Sequence, residues 1–166
     1  LPADGLTEAI QSMTTLNRDA AEAMIAAKVR AATDITGFGL LGHLGNLLRA
    51  SSEAKEQSLG ARLSFNDVPV FAQVNSILAE GLCPGGTRRN LQYAAPHAQF
   101  AADMDEPRQL LLADAQTSGG LLMAVSEGEL ERLLDDLKAR KTPAAAVVGQ
   151  IVKADRPGRI EVTCRA

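Results

Sequence analysis

The fold of this chain is decided by residues 32–44, which read ATDITGFGLLGHL. Residues 29–32 form a short apolar run that predicts a strand entering this stretch. The leucines at positions 40, 41, 44, 47 and 48 recur with the period of an α-helix and predict a helix leaving it. Asp34 is therefore expected at the point where a strand gives way to a helix, in a turn rich in glycine and hydroxyl side chains.

Two interpretations of Asp34 follow from this position. Free backbone N–H groups at a helix start and a nearby carboxylate suit a phosphate oxygen, or a metal ion that carries one. Helix starts are also commonly capped by Asp or Thr, so Asp34 or Thr36 could simply cap the helix. On this stretch alone, the cap is the plainer interpretation.

The composition is that of one globular domain. With 46% hydrophobic and 22% charged residues, neither a disordered nor a fibrous class fits the chain. A net charge of −3 argues against nucleic acid as a partner, because phosphate backbones require a basic face. No apolar run approaches the ~20 residues that span a bilayer, and the first residues lack a signal-peptide pattern, so no membrane partner is expected.

Cysteine and histidine usage excludes two further classes of protein. Cys83 and Cys164 are isolated, and the chain has only two histidines. This excludes a Cys/His zinc site and offers no disulfide framework, which favours a cytoplasmic location. His43 and His97 have no nucleophile placed beside them by a motif, so a packing or surface role is favoured over catalysis.

The start of the chain suggests a piece of a longer polypeptide. It begins with Leu1 instead of Met. We expect residues 1–6 to be the remnant of a linker and residues 7–166 to form a single domain.

Periodicity and turn signals predict alternating helices and strands. The predicted helices are 7–27 (with a break near residues 14–15), 40–50, 66–79, 107–113 and 127–140, the last with a capping box at Ser126 and Glu129. The predicted strands are 29–32, 60–65, 121–125 (central in the sheet), 146–152 and 160–163, the last two pairing as a terminal hairpin. Residues 84–86 predict a turn followed by the surface pair Arg88 and Arg89, and residues 91–105 are expected to be irregular. The predicted fold is α/β of the α+β type, a mixed β-sheet flanked by helices.

The residues alone indicate half of a nucleotide site. No phosphate-loop or nucleophile-elbow motif occurs. The GxGxxG spelling of residues 37–42 is a weak signal, because no acidic residue follows about 20 positions on at the end of a strand, as a dinucleotide site requires. Three glycine-rich segments, each beside an apolar element, together with Asp34 would suit magnesium and phosphate. Such a site ordinarily needs more than one carboxylate and often a lysine.

Three segments resemble signatures of the selenophosphate synthetase (selenide, water dikinase) family. They are residues 33–43 (TDITGFGLLGH), 84–90 (PGGTRRN) and 114–122 (DAQTSGGLL), and residues 12–18 resemble the helix that opens the C-terminal half of that enzyme. The resemblance covers residues 7–163, with the segments in the family's order. It implies the C-terminal-domain fold of the aminoimidazole ribonucleotide synthetase superfamily.

The resemblance also implies a reaction and a set of site residues. The family makes selenophosphate, AMP and orthophosphate from ATP, selenide and water, with Mg²⁺. Asp34 matches the aspartate of the C-terminal half that binds Mg²⁺ and the ATP phosphates. The cofactor-binding residues implied with it lie in one loop: Thr117, Ser118, Gly119 and Gly120.

The resemblance leaves the catalytic residues outside this chain. The Cys or selenocysteine and the Lys of the family belong to an N-terminal half that nothing here matches, as do the other magnesium carboxylates. Gly85, Gly86 and Asn90 are expected to shape the backbone, and Ala115 stands where the family commonly has Pro. The implied partners are the N-terminal half of the same enzyme and a second copy in a homodimer, and the chain alone is expected to be inactive. The alternatives are another ATP-using member of the superfamily, and a non-catalytic nucleotide-binding or dimerisation module in a fusion protein.

Overall fold

A computed structural model of the chain describes residues 3–164. The helices within that range are α1 Ala3–Thr14, α2 Arg18–Ala26, α3 Gly39–Lys55, α4 Val74–Ala79, α5 Gly85–Ala94, α6 Glu106–Leu112 and α7 Glu127–Ala139, with a 3-10 turn at Phe65–Asp67. The strands are β1 Ala31–Asp34, β2 Leu59–Ser64, β3 Ala98–Phe100, β4 Leu121–Ala124, β5 Gly149–Lys153 and β6 Ile160–Thr163. None of the helices in this range is long and apolar enough to cross a membrane.

The described strands form two sheets. The larger sheet has the order β3–β6–β2–β5, with β6 parallel to both β2 and β3, and with β5 antiparallel to β2. The smaller one is a ribbon in which β1 and β4 run antiparallel. The prediction of a mixed sheet flanked by helices is therefore confirmed.

The main core lies between α3 and the larger sheet. The leucine stripe predicted for this helix is confirmed, because Leu41, Leu44 and Leu48 are buried against apolar side chains of β2 and β6. Burial of this kind contributes about 25 cal/mol per Å² of apolar surface. The helix that follows Asp34 is therefore anchored along its length.

A second, smaller core joins α2 to α7. Ala23, Ala27, Leu133 and Leu137 are buried there, and Met123 of β4 packs against them. The predicted break between α1 and α2 and the predicted helix α7 are both confirmed. Ser126 stands at the N-cap of α7, but its side chain makes no capping hydrogen bond; its backbone carbonyl accepts from the Glu129 N–H instead.

Two predictions of strand pairing are wrong. β5 and β6 do not form a hairpin, because they lie on opposite sides of β2. The turn with Pro157 and Gly158 does reverse the chain, yet β6 then inserts between β2 and β3. Among the described strands, β4 pairs only with β1, so it is not a central strand of the larger sheet.

Other boundaries differ from the sequence predictions. The expected helix over residues 66–79 is a 3-10 turn followed by the short helix α4. The turn and irregular segment expected over residues 84–105 contain α5 and β3. The linker remnant expected at residues 1–6 overlaps α1, and its first two residues lie outside the described range.

Candidate functional site

Asp34 is the last residue of β1, and its side chain is exposed. Helix α3 begins only at Gly39, and its N-cap residue is Phe38, which makes no side-chain capping bond. A turn closed by the Gly39 N–H and the Thr36 carbonyl oxygen, 3.0 Å apart, separates strand from helix. The interpretation of Asp34 or Thr36 as the helix cap is therefore wrong, since Phe38 holds the N-cap position and Thr36 meets the first helical N–H through its backbone carbonyl and not through its side chain.

The carboxylate of Asp34 is available to a ligand. Among residues 3–164, no group forms a hydrogen bond or an ion pair with the two carboxylate oxygens of Asp34; the Thr33 hydroxyl donates to its backbone oxygen only. Asp34 shares the exposed face of β1 with Ala32, whereas Ala31 and Thr33 are half-buried. The ribbon therefore presents one acidic side chain to solvent at the end of β1.

His43 holds the turn that follows Asp34. Its Nε2 atom accepts a hydrogen bond from the Thr36 N–H at 3.1 Å and lies 3.1 Å from the Thr36 hydroxyl. Its ring also contacts that of Phe38, with centroids 5.8 Å apart. These contacts are local and structural, which agrees with the packing role that the sequence favours for His43.

The loop formed by residues 117–120 lies directly beside Asp34. Asp34 faces Leu121 across the β1–β4 ribbon, and the Ile35 N–H donates to the Gly120 carbonyl at 3.0 Å. The Gln116 N–H donates to the Thr36 carbonyl, also at 3.0 Å. The structure therefore brings the predicted loop residues next to the predicted metal ligand, with Thr117, Ser118 and Gly120 exposed.

Gly119 is required by close packing in this loop. A Cβ atom there would overlap the carbonyl oxygen of Ile35. Its own carbonyl accepts a hydrogen bond of 2.9 Å from the Asn17 side chain, at the start of α2. The neighbouring Ser118 has a positive φ of 51°, a conformation that is uncommon for a residue with a side chain.

Helix α5 joins the second glycine-rich segment to this site. The buried Thr87 hydroxyl donates to one carboxylate oxygen of Asp114. The Asn90 carboxamide donates to the Gly37 and Ala113 carbonyl oxygens, at 2.8 and 3.1 Å. The three segments predicted to build the site therefore meet, whereas Gly85 and Gly86 open α5 and Arg88 forms a surface ion pair with Glu106.

Sequence reasoning missed three residues that hold the site together: Asn17, Thr87 and Asp114. All three lie inside the segments singled out by the sequence. Their partners are 102 and 27 residues away in the chain, so no local pattern could identify them.

The donor set of this chain suits magnesium but does not complete a site for it. Asp34 provides carboxylate oxygens, and Thr117 and Ser118 provide exposed hydroxyls, which are the hard oxygen ligands that Mg²⁺ prefers. Within residues 3–164, no group of three or more His, Cys, Asp or Glu side chains could hold a metal ion. The described residues could therefore provide some of the oxygen ligands of a magnesium site, but not all of them.

A family model described as "AIR synthase related protein, C-terminal domain" matches residues 5–161. The chain belongs to this family. Its mixed sheet with flanking helices agrees with that membership.

Curated relatives named "Selenide, water dikinase" match most of the chain. The protein of Carboxydothermus hydrogenoformans is 40% identical over 147 residues, which cover 89% of this chain and 41% of the relative. That of Pelobacter propionicus is 42% identical over 92% of this chain and 42% of its own length, and one from Porphyromonas gingivalis is 42% identical over 93% and 42%. The resemblance to the C-terminal domain of selenophosphate synthetase is thus confirmed, and the chain spans about two fifths of the length of these relatives.

Proposed function

We propose that this chain acts as the C-terminal domain of a selenophosphate synthetase, which converts selenide, ATP and water into selenophosphate, AMP and orthophosphate. One observation carries the proposal: the three segments that resemble the family's signatures contact one another in space, and one of them, the loop of residues 117–120, lies beside the free carboxylate of Asp34. The curated relatives support the same assignment through their name.

In this proposal, Asp34 would supply one carboxylate ligand to Mg²⁺, and the metal ion would in turn bind the ATP phosphates. When bound, Mg²⁺ neutralises charge on the phosphate oxygens. The role of this chain is to fix the position of the Asp34 carboxylate. Asp34 lies at the end of the hydrogen-bonded β1–β4 ribbon, and the N–H of the next residue, Ile35, donates to the Gly120 carbonyl. The exposed side chains of Thr117 and Ser118, beside Asp34, would face the cleft between this domain and the N-terminal half of the enzyme.

The remaining groups of the reaction belong, in this proposal, to an N-terminal half of the same enzyme. That half supplies the Cys or selenocysteine, the Lys and further magnesium carboxylates, and the complete enzyme is a cytoplasmic homodimer. A partner surface is supported by Leu6 and Ile10 on α1, which are 51% and 48% exposed. Apolar side chains lined up on one helix face are typical of a surface that another part of a protein covers.

The test is Asp34→Asn in the complete polypeptide that carries this chain. We expect selenide-dependent AMP formation to fall roughly 100-fold, because a metal on phosphate oxygens is worth several kcal/mol. We also expect a higher Mg²⁺ concentration for half-maximal rate.

The matched control is Asp67→Asn, which alters another exposed aspartate outside the site and should leave both quantities unchanged. Unchanged activity and Mg²⁺ dependence in Asp34→Asn would contradict the role of this carboxylate. ATP turnover that needs Asp34 but not selenide would instead indicate another ATP-using member of the superfamily.

A further inference from the structure

The side chain of Asn90 bridges two segments that are far apart in sequence. Its Nδ2 atom lies 2.8 Å from the Gly37 carbonyl oxygen and 3.1 Å from that of Ala113. Both partners are acceptors, so the amide end of the carboxamide must face them. A carboxylate at this position would place oxygen against oxygen in both contacts.

Helix α5 makes a second link to the same loop from the same face. Thr87 precedes Asn90 by three residues, which puts the two side chains on one side of the helix. Thr87 is fully buried and donates to the carboxylate of Asp114, the residue after Ala113. Two side chains of one helix therefore hold the start of the loop that ends beside Asp34.

The turn and the loop touch at two ends and also between them, where the Gln116 N–H donates to the Thr36 carbonyl. Asn90 lies at one of the two ends. At the first end, the Ile35 N–H donates to the Gly120 carbonyl. At the second, Gly39 lies so close to Ala113 that a Cβ atom would be 2.5 Å from its carbonyl carbon. The carboxamide of Asn90 donates to backbone on both sides of this second contact.

We propose that Asn90 is a positioning residue, which fixes the turn after Asp34 against the loop of residues 114–120. It touches no reacting group itself. Its consequence for catalysis rests on the proposed function of Asp34, whereas its effect on the turn and the loop does not.

The first test measures amide hydrogen exchange in this chain with Asn90→Asp. We expect exchange to become about tenfold faster, or more, in peptides covering residues 35–42 and 112–120, because two hydrogen bonds are replaced by repulsion. Gln92→Glu is the matched control, since it adds the same charge at an exposed position of the same helix and should leave both peptides unchanged. Asn90→Ala removes the donor without the repulsion and replaces Asn90→Asp if that variant fails to fold.

The second test combines Asn90→Asp with Asp34→Asn in the complete polypeptide. Asn90→Asp alone should lower kcat/KM for ATP about tenfold, and it should have no further effect where Asp34 is already Asn. Unchanged exchange in both peptides would overturn the proposal. An equal loss of activity with and without Asp34 would also overturn it, because Asn90 would then act on the fold in general. Full activity of Asp34→Asn alone would contradict the proposed function, and hydrogen exchange would still decide whether Asn90 fixes the turn and the loop.

Discussion

Gly119 and Gly120 are adjacent in the loop beside Asp34, but the structure gives them different surroundings. A Cβ atom at Gly119 would overlap the Ile35 carbonyl oxygen, whereas nothing lies within 4 Å of one at Gly120. Backbone atoms cannot yield as the end of a flexible side chain can. The loop and the turn therefore tolerate a side chain at one glycine and not at the other.

We predict that Gly119→Ala lowers the free energy of unfolding by about 2–3 kcal/mol, within the range typical of overpacking. Gly120→Ala should change it by less than about 0.5 kcal/mol. Urea denaturation of the two variants and the parent chain measures both values. Equal effects of the two substitutions would show that contact with Ile35 is not what requires Gly119.

His97 should make the stability of the chain depend on pH. Burial lowers the pKa of its imidazole below 6.5, and the charges of Arg49 and Arg156 lower the pKa further. Its Nδ1 atom is buried and has no hydrogen-bond partner among the described residues. At pH values between the lowered pKa of the folded state and about 6.5, a larger fraction of His97 is therefore neutral in the folded chain than in the unfolded chain.

The sign of this pH dependence follows from the lowered pKa. The full contribution to the free energy of unfolding is present above about pH 6.5 and is lost as the pH falls from there towards the folded-state pKa. Urea midpoints at pH 7.5 and 5.5 should therefore differ more for the parent chain than for His97→Gln. The same difference in both proteins would rule out His97 as the source.

At the scale of elements, α7 and α5 show what sequence patterns can and cannot predict. In α7, leucines with helical spacing are buried on one face, so propensity, pattern and burial agree and the sequence predicts the helix. In α5, Gly85 and Gly86 are poor helix formers, and the sequence predicted a turn. Tertiary contacts stabilise this helix instead, through the side chains of Thr87 and Asn90.

We therefore predict that α5 depends on the link between Thr87 and Asp114. Thr87→Val keeps the shape of the buried side chain but removes a donor to a carboxylate, a bond typically worth about 1.5–3 kcal/mol. Chemical denaturation should show a loss of that size.

A control for this prediction is available at Thr142, which follows α7 in the chain. Thr142→Val removes a hydroxyl that lies within hydrogen-bond distance of two backbone carbonyls, those of Leu137 and Ala144, and that has no charged partner. A smaller loss is expected there. If the free energy of unfolding falls by the same small amount in both variants, the contact between Thr87 and Asp114 does not stabilise α5.

Strand pairing was the least predictable property of the elements. The extents of β2 and β6 follow from apolar alternation, but their neighbours do not. β6 follows β5 closely in the chain, which favoured a hairpin, yet it pairs with β2 and β3. In this position, Ile160 and Val162 are buried in the same core as the leucines of α3. The sequence around β6 does not specify these distant partners.

At the scale of the whole molecule, the chain is proposed to contribute only part of an active site. Asp34 and the loop of residues 117–120 were found through resemblance to a family, because local physics favoured a helix cap at Asp34. Their closeness in space depends on the pairing of β1 with β4, which sequence reasoning did not provide.

We predict that the isolated chain binds Mg-ATP only weakly. One carboxylate does not complete a magnesium site, and within residues 3–164 no cluster of metal ligands adds to it. Isothermal titration should show no binding in the micromolar range, and the parent chain and Asp34→Asn should give the same weak heats. Micromolar affinity that is lost in Asp34→Asn would contradict this prediction.

The position of β6 determines when the larger sheet can form. β6 lies between β2 and β3, and its Glu161 faces Arg62 of β2, 99 residues earlier in the chain. Pairings over such separations must first overcome the entropy of closing a long loop, which slows folding. During synthesis on the ribosome, β2 and β3 would emerge with no strand between them, and their hydrogen-bonding edges would stay open until residues 160–163 arrive. The order of translation thus leaves this sheet open to misassembly while residues 101–159 are made, and its main core, which includes Ile160 and Val162, cannot be completed before β6 arrives.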